Sequence, residues 1–249
     1  MNRNREESGA INIVGKMHQH DDNGTRRRLT PAQRLAQDMQ QFGSMGVRVA
    51  LMAIALTIPL VIGILMVDMP ARYLDSPFGL LPGLRPADWI SSGHVVLAIV
   101  PLISLLFARR FGGSEVSYAI IAAWTVLAFF LLFELSILAA VIEEGDFPGV
   151  RFIVALVAGH MSGQLVSVGF YDIVRGGGRW WRAPFYSACV GYFVTSIIYF
   201  PVAYWHTNLP WGGWLVGNLL VMLVFSALLL PVYGLLRRRL RPRGGFGGA

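Results

Sequence analysis

The sequence predicts an all-α integral membrane protein with six transmembrane helices and both termini on the cytoplasmic side. Three observations predict it. Of 249 residues, 55% are hydrophobic and only 14% charged, against about a quarter charged in a soluble domain. The apolar residues fall in long blocks instead of amphipathic stripes. The basic residues collect in alternate connections between those blocks, the charge asymmetry that orients membrane chains.

About 20 apolar residues cross a bilayer as a helix. The blocks reach that length at 47–67, 90–107, 116–142, 152–171, 186–205 and 214–236. Backbone groups find no water in lipid, so each block is expected to be helical. With the amino-terminal tail in the cytoplasm, every Lys and Arg of the 21 except Arg72, Arg85 and Arg151 lies on that side: in the tail up to Arg48 at the start of the first block, in 108–114, in 172–183 or from Arg237 onward. The acids Glu143, Glu144 and Asp146 fall on the outer side. Removing one span would scramble this pattern. The net charge of +7 therefore points to anionic lipid headgroups at a bacterial-type inner membrane and not to nucleic acid.

The organisation follows: a basic, largely disordered tail over 1–45, a transmembrane domain over 46–238 and a flexible Gly/Arg-rich tail over 239–249. The early charges are followed by no apolar run, unlike a signal peptide. Thr30 as N-cap and Pro31 at the first position predict a short helix over 29–42. The Pro- and Gly-rich stretch 68–92 reads as an outer loop, with Trp89 near the headgroups. Gly176-Gly177-Gly178 lacks the lysine and context of a phosphate loop and reads as a turn. A single cysteine, Cys189, excludes a disulfide framework and reads as a packing residue.

Polar side chains inside spans usually face a bundle interior or a cavity. His160, Gln164, Ser167 and Tyr171 recur at helical spacing in the fourth span, and Tyr192, Thr195, Ser196 and Tyr199 in the fifth. The two stripes suit a pocket for a small, flat, polar, mostly uncharged solute, with the tyrosine rings stacking on it. The same side chains also serve as hydrogen-bonding links between helices. Glu134 lies in the third block, about 13 Å from its outer end by helical rise. It reads as a proton-coupling site, a partner for His160, or a neutral hydrogen-bonding acid. His94 and Asn218 are weaker candidates. Gly163-Gln164-Leu165-Val166-Ser167 is echoed by Gly191-Tyr192-Phe193-Val194-Thr195, an internal repetition of the kind found at transporter sites.

That echo, the intervening Arg179-Trp180-Trp181-Arg182, the run Val100-Pro101-Leu102 to Arg110-Phe111-Gly112 and the final Pro231-Val232-Tyr233-Gly234 resemble the vitamin uptake transporter family, also called queuosine precursor transporters. The resemblance covers about residues 46–241. It implies a six-helix secondary transporter importing a 7-deazaguanine-type solute. Acids of the family pattern are replaced by Ala108, Ser167 and Thr195. The resemblance and the stripes together assign His160, Gln164, Ser167, Tyr192, Thr195, Ser196 and Tyr199 to solute binding and Glu134 to proton coupling. The alternative is a non-transporting assembly factor or a subunit of a larger membrane complex, whose partner is that complex or a second copy. An enzyme would need a convergent set of titratable groups. The spans offer only Glu134 and His160, with no metal-ligand spacing, so neither catalysis nor a cofactor is expected.

Overall fold

The computed structural model describes residues 31–75, 85–88, 90–138, 149–176 and 178–242. Two units are distinguished, Met1–Ser44 and Met45–Ala249. The described part of the first is helical, and Ser44 Oγ donates to Gln41 O at 2.9 Å. The second carries the bundle. Thr30, Trp89, Gly177, the acids at 143, 144 and 146, and the outermost parts of both tails lie outside the described residues.

The helices are α1 (Pro31–Leu65), α2 (Ser92–Leu97), α3 (Val100–Phe111), α4 (Gly113–Leu138), α5 (Val150–Val174), α6 (Arg182–Tyr204) and α7 (Trp211–Arg239). Six segments are long and apolar enough to cross a membrane, α2 and α3 together forming the second. No strand occurs among the described residues. The short helix expected over 29–42 is instead part of α1, which runs on to Leu65. Gly43 and Gly46 lie inside it without ending it, in open space. The sixth span, α7, also extends past the expected boundary, to Arg239.

The surface is that of a lipid-solvated bundle. Phe129, Leu228 and Leu235 are 71%, 64% and 69% exposed, a pattern that water would penalise over so many residues. The core is drawn from Met52, Leu56 and Leu60 of α1, Leu105 of α3, Trp124 of α4 and Leu156 of α5. Two buried hydroxyls are satisfied locally: Ser104 and Ser226 donate to the carbonyls of Val100 and Met222 one turn earlier.

One end of the bundle is rich in arginine and held by ion pairs and caps. Arg48 of α1 grips Glu115 of α4 through Nε at 2.9 Å and Nη2 at 2.7 Å, a bidentate pairing. Asp172 of α5 accepts from Gly113 N at 2.7 Å and so caps α4, while Arg175 donates to Ala108 O of α3 at 3.2 Å. Between α3 and α4 the chain turns at Gly112, whose φ of 91° is left-handed. Tyr171 and Tyr233 bond through their hydroxyls at 2.7 Å, joining α5 to α7. Trp180 lies against Gly234, with the Arg237 guanidinium 4.6 Å from its ring.

At the opposite end the loop between α1 and α2 is tied to the helices. Ser92 N donates to Met69 O at 2.7 Å, Gly93 N to Met66 O at 2.9 Å and Ala71 N to Ile90 O at 3.0 Å. Two short 3-10 turns, Arg72–Leu74 and Pro86–Asp88, lie in this loop, and Asp75 Oδ1 accepts from Ala87 N at 3.0 Å. Arg151 donates to the carbonyls of Val202 and Trp205, satisfying the end of α6.

Candidate functional site

The site is framed by the crossing of α5 and α6. These helices are antiparallel, and their backbones meet along Gly159, Gly163 and Gly191. A Cβ added at Gly191 would stand 2.8 Å from Ser167 Cβ and 2.9 Å from Gly163 O. One added at Gly163 would collide with Thr195 Oγ1 and stand 2.6 Å from Gly191 O. Each glycine therefore receives the hydroxyl residue of the other helix's motif. The five-residue echo has a packing cause: it is a reciprocal small-residue crossing, which lets membrane helices approach closely.

Beside this crossing is a small cavity at mid-bundle, lined by His160 and Gln164 of α5, Tyr192, Thr195, Ser196 and Tyr199 of α6, His94 and Leu97 of α2, Pro101 of α3 and Asn218 of α7, with Ala98 at the break. Its volume is about 20 Å³, room for about one water. Asn218 Nδ2 donates to Ser196 Oγ at 3.0 Å. Trp124 Nε1 donates to Gln164 Oε1 at 3.2 Å, which fixes the orientation of the amide. His160 Nδ1 lies 3.1 Å from Leu156 O; a carbonyl only accepts, so Nδ1 carries the hydrogen and Nε2 of the neutral ring is an acceptor.

The second span is interrupted here. Between α2 and α3 the chain turns at Ala98 and Ile99, and Pro101 in the first turn of α3 has no N–H to continue the ladder. Tyr192 donates to Ala98 O at 2.6 Å. An interrupted membrane helix is tolerated where its freed backbone groups face protein or a cavity, and Ala98 meets that condition.

A wider vestibule of about 320 Å³ opens at the opposite end from the arginines. His94 and Tyr199 line both spaces. Their rings are 5.7 Å apart, and His160 lies 6.3 Å from His94 and 5.9 Å from Tyr199. His94 and Tyr199 thus stand between vestibule and cavity, with His160 beside them on the cavity side. Ser91 Oγ is 2.9 Å from His94 Nδ1, while His94 Nε2 is buried with no hydrogen-bond partner among the described residues.

Six of the seven residues expected to bind solute line the cavity; Ser167 does not. It is 1% exposed and packs against Gly191. Tyr171 of the same stripe points to Tyr233. Glu134 is also not among the lining residues. Trp124 is the α4 residue that reaches His160, at 5.9 Å between rings. Ten residues separate it from Glu134, about 15 Å of helical rise. His94 and Asn218, ranked lower from sequence, are central. Trp124 and the break at Ala98 were missed. The break had a signal in Pro101, a proline inside an apolar run; Trp124 had none, because a tryptophan in an apolar block reads as core.

No family model, curated protein or solved structure matches the chain.

Proposed function

We propose that the chain is a secondary transporter that imports a small, flat, polar solute across a bacterial-type inner membrane. The observation that carries this reading is the stacking of two spaces: a ligand-sized vestibule leads, past His94 and Tyr199, to a largely apolar cavity into which a few polar side chains converge from helices of four different spans. Substrate sites of transporters commonly lie near the bilayer midplane beside interrupted helices, and the Ala98 break adjoins this cavity. At about 20 Å³ the cavity is smaller than a heterocycle, so a solute could enter it only if the surrounding helices move apart. Gln164, Asn218, Ser196 and His160 supply donors and acceptors for a heterocycle, and Tyr192 and Tyr199 supply rings to stack on it. The arginine-rich end is taken as cytoplasmic, which makes the vestibule the outer face.

The sequence resemblance supplies a first candidate solute, a queuosine precursor of the 7-deazaguanine type. The test is uptake of the labelled compound by cells making the protein, compared with cells making a Gln164→Ala variant. Equal uptake in both, or no uptake above background, sinks the named solute. A stable stoichiometric protein partner without uptake of any solute would favour the membrane-complex subunit reading instead.

A further inference from the structure

We propose that the vestibule binds an organic cation, a quaternary ammonium or a protonated amine, so that the solute reaching the cavity carries a positively charged nitrogen. The identity of this ligand as the transported solute rests on the transport reading; the binding site does not.

Its walls form an aromatic cage. Phe152, Tyr199, Tyr204 and Trp214 follow one another in edge-to-face order. The successive ring separations are 5.8, 6.0 and 5.6 Å, and the interplanar angles 77°, 89° and 85°. The four come from α5, α6 and α7 and all line the same space. An aromatic face carries negative electrostatic potential and attracts a cation held over it.

The formal charges agree. Asp68 and Asp88 line the vestibule, and among the described residues no Lys or Arg does, although Arg72 and Arg85 belong to the same loop. Neither carboxylate is in an ion pair among the described residues. Arg151, at the same end, is committed to the carbonyls of Val202 and Trp205. A concave mouth with one sign of charge concentrates ligands of the other. The geometry is also preformed. Met69, beside Asp68, accepts from Ser92 N, and Ala87, beside Asp88, donates to Asp75. Both carboxylates therefore sit beside residues held by hydrogen bonds within the protein. A cavity of about 320 Å³ is within the range of small-molecule sites. The polar stripes of α5 and α6 carry no charge and suggest a neutral solute; the charge requirement sits above them, at the mouth.

The experiment uses the purified full chain in lipid nanodiscs and two probes of nearly equal shape: choline and its uncharged carbon isostere, 3,3-dimethylbutan-1-ol. Binding is read by calorimetry. Choline is expected to bind at least tenfold more tightly than the isostere, with Asp68→Asn/Asp88→Asn and Trp214→Leu each weakening choline about tenfold. Trp214→Phe, which keeps a ring, should retain most of the affinity and controls for loss of fold. Equal affinity for the two probes, or unchanged choline binding in the Asp double variant, overturns the proposal. Choline binding without uptake of any labelled amine into proteoliposomes upholds the site and defeats the transport reading. Uptake of a neutral heterocycle by protein that binds no choline does the reverse.

Discussion

Gly191 stands so close to Gly163 that a single methyl group on it would lie 2.9 Å from the Gly163 carbonyl oxygen. That contact sets the distance between α5 and α6, and the polar residues on either side of it acquire their cavity from that spacing.

Gly191→Ala is therefore expected to destabilise the bundle, by about 1–3 kcal/mol as for other overpacked sites. Gly169→Ala, on the same pair of helices but with nothing within 4 Å, should be neutral. Thermal unfolding in detergent measures both. Equal midpoints for the two variants would show that the crossing is looser than described.

Tyr192→Phe removes the only side-chain hydrogen bond described for Ala98 O. A loss of roughly 0.5–1.5 kcal/mol is expected, seen as a lower unfolding midpoint. If the break matters to solute handling, uptake falls as well. An unchanged midpoint would mean that water replaces the hydroxyl.

Once a solute is in hand, Gln164→Ala and Asn218→Ala should each lower uptake at least about tenfold, because both groups line the cavity and polar recognition groups are costly to lose. Glu134→Gln should leave uptake unchanged. Abolished uptake in that variant would restore the acid to the coupling role and require a conformation in which α4 shifts along its axis.

Orientation is tested with cysteine. In a Cys189→Ser background, Asp75→Cys should react with a membrane-impermeant maleimide on intact cells, and Arg179→Cys only after permeabilisation. The reverse labelling would invert the bundle.

The six spans were legible because apolar length and alternating charge are local properties of the chain. So were the two stripes, since a period of three to four puts His160 with Gln164, and Tyr192 with Ser196 and Tyr199, on common faces. What could not be read was which stripe residues turn to a cavity and which to a neighbouring helix. Ser167 and Thr195 occupy equivalent places in the echo, yet Thr195 lines the cavity and Ser167 is packed under Gly191. Spacing alone gives both a face, while the crossing angle and offset of two helices decide what that face meets. The long α1 was hidden because the capping signals of Thr30 and Pro31 and the apolar run from Val47 read as two separate segments. The role of His94 was hidden by its position near the end of an apolar block, where it resembled an interfacial residue.

The break at Ala98 leaves His94 on a six-residue helix, Ser92–Leu97, whose leading backbone amides are tied to Met66 and Met69 in the adjoining loop. Mechanically, α2 belongs to the loop as much as to the bundle. The described part of the loop and the cavity thus share α2 as a common element. A nanobody that grips the loop, or a crosslink that immobilises it, would act on His94 from outside the membrane without touching any of the residues around Gln164.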